Sequence, residues 1–344
     1  MRKKIRLMIV LLCVICSSRV VGQGIHFTQF YNAPLMVNPA NTALLSDDDF
    51  RIGLNYRNQW SALPVPFNTF SGFGDFKIGG NNPDKIRHNW LGLGFAYFSD
   101  KAGDGNLALS QIQGNIAFHL QMSDHMMLSA GGSAAYVQRS VNYDNLTFDA
   151  QWDGFVFNPR MANGEKVGIM KTNYSTVAAG LNLAFFPNEL VYIKLGGSVA
   201  NINQPVETFY ATGKNQLAMR PTFYVDGSFK TGNTITLNPS IYATQQKGAY
   251  QVVAGSLVRA RLTDRNDMPV QLILGLFSRL GDAFIGVAGL EFSDIQFMAN
   301  YDMTMSGLAP YNASYGALEL SLIYHRSYSK NRGMKSMLSC PRFF

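Results

Sequence analysis

Five histidines, His26, His88, His119, His125 and His325, fall in five separate segments, and none stands at metal-ligand spacing such as HExxH. A metal centre needs several such donors converging on one point, so no metal is expected. A hydrolase needs a serine, a histidine and a polar orienter meeting near a strand end. Register alone brings His119 towards Ser129, with no third group marked, and the chain is not expected to be an enzyme. Asp144, Asp149 and Asp153 offer oxygen ligands for calcium in the longest inter-strand segment, where a solvated loop surface is the favoured reading. Gly92, Gly94, Gly131 and Gly132 sit inside alternating runs; there they relieve crowding or bend a sheet rather than cradle a phosphate. Catalytic, cofactor and metal residues are therefore none.

The elements around these residues are strands. Gln111 to Leu120 alternates with a period of two, so Ile112, Ile116, Phe118 and Leu120 can face lipid while Gln111, Gln113, Asn115 and His119 face a wet interior. Fourteen segments of this kind fill the chain: 50–60, 68–78, 89–100, 107–120, 126–139, 174–186, 190–201, 220–230, 234–244, 249–260, 268–279, 282–292, 294–304 and 315–325. Most have the length that a tilted strand needs to cross a bilayer. The expected fold is all-β, a transmembrane outer-membrane β-barrel of about 14 antiparallel strands. Alternate links differ in length: 121–125, 187–189, 231–233 and Ser293 are short, whereas 140–173, 202–219 and 305–314 are long. Short periplasmic turns and long outer loops place both termini in the periplasm.

Arg2, Lys3, Lys4 and Arg6, the apolar run Leu7 to Ile15, and Val20-Val21-Gly22 read as a secretory signal cut ahead of Gln23. Cys13 and Cys16 leave with it, so Cys340 has no internal partner. The formal charge of +7 is concentrated at the ends, because residues 23–325 hold 19 basic and 22 acidic residues. A basic surplus confined to a short tail excludes a nucleic-acid-binding domain. Four regions follow: 1–22, signal; 23–49, a periplasmic or plug segment; 50–325, the barrel; and 326–344, a basic periplasmic tail.

Phase also assigns the lumen. If the apolar members of each strand face lipid, Arg51, Arg57, Asp75, Lys77, His119, Lys194, Asp226, Lys230, Glu291, Asp302 and Glu319 point inward. Mixed signs pair and fill a lumen, whereas a selective pore gathers one sign at a constriction.

Several marks, in order along nearly the whole mature chain, carry a resemblance. They are FTQFYNAPLMVNPANTA with Gln29, Asn38, Pro39 and Ala40; the run Tyr56, Arg57, Asn58, Gln59 and Trp60; Asn203, Gln204 and Pro205; LNPSIYATQ at 237–245; YDMTMSGL with Tyr301 and Asp302; LELSLIY at 318–324; and CPRF with Cys340 and Pro341. Together they resemble the PorP/SprF family of outer-membrane proteins. The resemblance implies a barrel of the type IX secretion system and gliding motility apparatus of Bacteroidota. Such a barrel assists the secretion or surface attachment of a large adhesin-like client protein with a C-terminal sorting domain. The implied partners are that client, other components of the secretion system and outer-membrane lipid, with no nucleic acid and no cofactor. The alternative is a gated outer-membrane channel for small or hydrophobic solutes.

Overall fold

The structure is a computed structural model that describes residues 27–45, 48–60, 66–79, 89–103, 107–142, 146–162, 164, 169–209, 215–232, 234–263, 269–307, 309–312 and 314–327. The signal, His26, His88, Asp144, the basic tail beyond Ser327, Cys340 and Pro341 lie outside the described residues, while Arg326, placed in the tail by the sequence reading, is the last residue of β14.

Fourteen antiparallel strands close in chain order into a barrel, with β1 beside β14. They are β1 (Phe50–Gln59), β2 (Phe67–Ile78), β3 (Trp90–Ala102), β4 (Leu107–Ser123), β5 (Met126–Asn142), β6 (Ile169–Asn188), β7 (Val191–Ala200), β8 (Arg220–Thr231), β9 (Ile235–Gln246), β10 (Ala249–Arg261), β11 (Val270–Arg279), β12 (Ala283–Phe292), β13 (Ile295–Thr304) and β14 (Tyr315–Arg326). Closure pairs every strand on both sides, which is what a sheet in hydrocarbon requires. No described helix is long and apolar enough to cross a membrane. The phase is the one that alternation dictates: Ile112, Ile116 and Phe118 are about half exposed on the outside, while Gln113, Asn115, His119 and Gln121 are buried inside.

One local feature departs from the sequence reading. β4, β5 and β6 reach 17, 17 and 20 residues, so on this side the wall outruns the bilayer and stands as a raised sheet. The long-loop rim also carries two tight hairpins. The one at Lys247 and Gly248 turns through φ of 46° and 86°, and the other occupies 280–282.

The larger departure is inside. Over β10 to β13 the lumen wall is apolar: Val253, Leu257, Ile273, Phe277, Ile285, Val287 and Met298 are buried there and pack with Phe30, Val37 and Tyr31. A wall like this cannot face water at low cost, and it is covered by the leader. Residues 27–45 run through the lumen as three short turns, Phe30–Asn32, Pro34–Val37 and Pro39–Asn41, and nearly all of them are buried. The interior is thus a protein core, polar at its ends and apolar along one side.

Candidate functional site: the lumen and its leader

The leader is held at three levels. At the long-loop end, the backbone N–H groups of Thr28 and Gln29 donate to the two carboxylate oxygens of Glu319 at 2.7 and 2.9 Å. Arg57 donates to the same carboxylate, and the Thr28 hydroxyl donates to Asp302 at 2.7 Å. Arg279 donates to Asp302 at 2.7 Å and to the Thr28 hydroxyl oxygen. Two guanidinium groups and two carboxylates thus enclose one threonine, all nearly or fully buried. Such a cluster is tolerable only because each charge has an opposite neighbour and hydrogen bonds.

In the middle, Phe30 stacks on Tyr242 with ring centroids 4.9 Å apart. The Asn55 side chain donates to the carbonyl of Asn32 at 3.1 Å, and Gln113 donates to that of Leu35 at 3.1 Å. These bonds satisfy leader carbonyls that short turns leave open.

At the short-turn end, Asn38 caps its own turn by accepting from the N–H of Ala40 at 2.8 Å, while its amide donates to Asn182 at 2.9 Å and Leu181 at 3.1 Å. Tyr224 donates to Asn41 at 2.8 Å. The carbonyl of Thr42 accepts from Nε2 of His119 at 2.8 Å, which fixes the tautomer. Nδ1 then accepts from the Ser129 hydroxyl at 2.8 Å. His119 and Ser129 therefore do meet, as register suggested, but both are buried beneath the leader with Trp90 stacked on the imidazole at 4.8 Å. The pair is engaged in holding Thr42. Ala43, in the left-handed region at φ 53°, donates to Asp75 at 2.7 Å, which Arg51 pairs at 2.6 Å.

Two glycines let the Asn38-Pro39-Ala40 turn touch the wall. A Cβ on Gly131 would lie 2.6 Å from the backbone of Pro39 and Ala40, and one on Gly180 would lie 2.0 Å from the Asn38 amide oxygen. Gly131→Val is expected to push the leader off the wall while leaving the strand ladder intact. Limited proteolysis of protein in lipid should then cut within residues 27–45 at least about tenfold faster, tracking the opened population. Unchanged protection would show that the leader does not depend on this contact.

The motif residues divide among four places. Gln29, Arg57 and Asp302 come together around Glu319, with Gln59 accepting from Arg57 at 3.1 Å. Asn38, Pro39 and Ala40 form the lower anchor. Tyr56 and Tyr301 face lipid, and Asn58 donates to Asn68 at 2.7 Å. Trp60 follows β1 at φ 57°, donates its backbone N–H to the carbonyl of Gly316 at 2.7 Å and packs edge-on against Phe67. Asn203, Gln204 and Pro205 build the β7–β8 loop, where Asn203 donates to Ser175 at 2.8 Å and the Pro205 carbonyl accepts from Leu217 at 2.9 Å. Arg259, Arg279, Asn182 and Tyr224 were missed. The inward phase of Asn182, between Leu181 and Leu183, was the available signal.

Of the residues assigned to the lumen by phase, Lys194 pairs with Asp226 at 3.1 Å, and Glu291 is taken by Arg259 at 2.8 Å. Lys77 lies over Trp90 at 4.9 Å. Lys230 is in phase but exposed at its strand end. Among the described residues no group of three or more His, Cys, Asp or Glu could hold a metal. In the 146–162 loop the Asp153 carboxylate accepts from the N–H groups of Val156 and Phe155 at 2.7 and 2.8 Å, which keeps its pKa below the ordinary value. The loop's tip is apolar and open: Phe155 is 90% exposed, with Trp152, Val156 and Phe157 beside it.

Residues 20–324 match the family model described as type IX secretion system membrane protein PorP/SprF. No curated protein sequence matches the chain. Among solved structures, the Ralstonia pickettii toluene transporter TbuX is similar with a TM-score of 0.54 and 10% identity, covering 87% of this chain and 94% of that one. A Pseudomonas aeruginosa FadL homologue gives 0.47 and 10%, covering 85% and 94%. At 10% identity the likeness to TbuX is one of fold alone.

Proposed function

This chain belongs to the PorP/SprF family of type IX secretion system membrane proteins, and from that membership we propose that it is an accessory barrel assisting secretion or surface attachment of a specific large client protein. The observation that carries the reading is a filled lumen beneath an exposed apolar loop tip. A barrel packed with its own leader is poorly suited to free diffusion, while Phe155 and its neighbours offer the kind of surface that marks a protein contact. The long loops 143–168 and 201–219 would meet the client outside the cell. The rim of short turns then faces the periplasm, where β14 ends and the basic tail would meet other components of the system. The described leader starts beside Glu319 in the long-loop half and descends to β1. Periplasmic contact by the amino end would therefore require passage back down the lumen.

The test is a comparison of surface and culture-medium proteins in cells with and without the gene. Complementation uses either the native chain or one carrying Trp152→Ser and Phe155→Ser. Selective loss of one or a few large secreted proteins is expected, restored by the native chain and reduced at least about fivefold with the loop variant, as removal of two interface anchors predicts. An unchanged secretome would overturn the reading.

The second reading, a gated channel for small or hydrophobic solutes, rests on a cavity of about 400 Å³ between the leader and the long-loop rim. It requires the leader to move, and solute uptake into vesicles holding only this protein would support it.

A further inference from the structure

We propose that this cavity binds a carboxylate carried on an apolar group, with Arg220 as its counter-ion. The site goes beyond the secretion reading and does not depend on it. The cavity floor is apolar, formed by Leu35, Met36 and Val37 of the leader with Phe98 and Val137 of the wall. Its charged groups are Arg139, Arg220, Lys247 and Glu207. Glu207 is already held by Arg139 and accepts from the Tyr174 hydroxyl at 3.3 Å. The remaining field is positive.

Arg220 is the exception among the luminal arginines. It opens β8 in phase with the buried Thr222, Tyr224 and Asp226, and it also borders a smaller pocket beside Phe27, Phe30 and Tyr242. The other five luminal arginines, Arg51, Arg57, Arg139, Arg259 and Arg279, each hold a carboxylate. The Arg220 backbone pairs with Ala200 in the ladder, but among the described residues the Arg220 side chain makes no hydrogen bond or ion pair. A guanidinium cannot shed its proton, and a half-buried one beside an apolar floor gains most from a planar anion that it can grip with two N–H groups. Apolar floor below and unpaired cation at the side select for an acid on an apolar stem. The free carboxyl end of a peptide with apolar last residues has this chemistry, and so does a simple alkanoic acid.

Full-length protein in lipid nanodiscs would be titrated calorimetrically with an N-acetylated pentapeptide ending in Leu-Val, the same peptide as its C-terminal amide, decanoate and decanol. Saturable binding of an acid is expected, with its uncharged counterpart and the Arg220→Gln variant each at least about tenfold weaker, as loss of a charge-assisted pair predicts. Val137→Trp fills the cavity and should abolish binding while leaving Arg220 in place. This keeps the test decisive if Arg220→Gln fails to fold. Binding of the peptide acid alone would assign a peptide terminus, and binding of decanoate alone a small acid; both support the site. The proposal is overturned if neither acid binds, if the amide or alcohol binds equally well, or if Val137→Trp retains full affinity.

Discussion

A chain lacking residues 27–45 is expected to conduct ions across a planar bilayer in discrete steps where the intact chain is silent. The expectation follows from barrel size: fourteen strands enclose more space than wall side chains can fill, and here the leader supplies what is missing. It contributes Phe30, Leu35 and Val37 to the buried apolar clusters, each worth about 1.5–3 kcal/mol when fully buried. Its polar atoms satisfy Glu319, Asp302, His119 and Asn182 across the lumen. Removing it uncovers the apolar wall of β10 to β13, so the same deletion should also lower the temperature at which the barrel unfolds on a heat-modifiability gel. Conductance steps with a retained folded band would establish the leader as the closing element. A folded but silent deletion would show that the outer loops close the lumen unaided.

The barrel was legible because lipid on one side and protein on the other impose a strict period of two, and β4 writes it without interruption. The apolar sector was not, although its cause stood in the sequence. The run Leu272-Ile273-Leu274-Gly275-Leu276-Phe277 does not alternate, and a strand apolar on both faces has something dry on both sides. Treating one face as wet hid that information. Strand ends slipped where alternation continues above the membrane, as in β6, whose first residues pair with β5 as far as Ile169↔Asn142.

The site was less legible than the fold. Phase put Arg57, Asp302 and Glu319 inside, but nothing local says that residues 28 and 29 would meet Asp302 and Glu319 across a chain separation of nearly the whole protein. Gly131 reads as relief of crowding, which it is, whereas nothing in the sequence marks Gly180. What crowds them is the Asn38-Pro39-Ala40 turn, a partner that only the closed barrel reveals. Tyr56 and Tyr301 stand beside Arg57 and Asp302 in sequence yet point to lipid, because neighbours on a strand face opposite ways.

Glu319→Ala is expected to cost about 3–5 kcal/mol, the range for breaking one member out of a buried ionic cluster. Arg57 and Glu319 are direct cross-strand partners on β1 and β14, the pair that closes the barrel. The same carboxylate receives the N–H groups of Thr28 and Gln29, so the seam and the leader share one acceptor. Truncation leaves two buried amides without a partner and leaves Arg57 with Asp302 at 3.3 Å, a carboxylate that Arg279 also claims. Replacing Arg57 and Glu319 together by methionine removes both charges and should cost less than Glu319→Ala alone, since no lone buried charge remains. Urea titrations in lipid vesicles, reading the folded band and leader proteolysis in parallel, separate the two roles. If both midpoints fall together, leader docking and seam closure are one event, so the leader is bound by the last strand to pair. If leader protection is lost while the folded band holds, the seam closes without it, and Glu319 serves the leader alone.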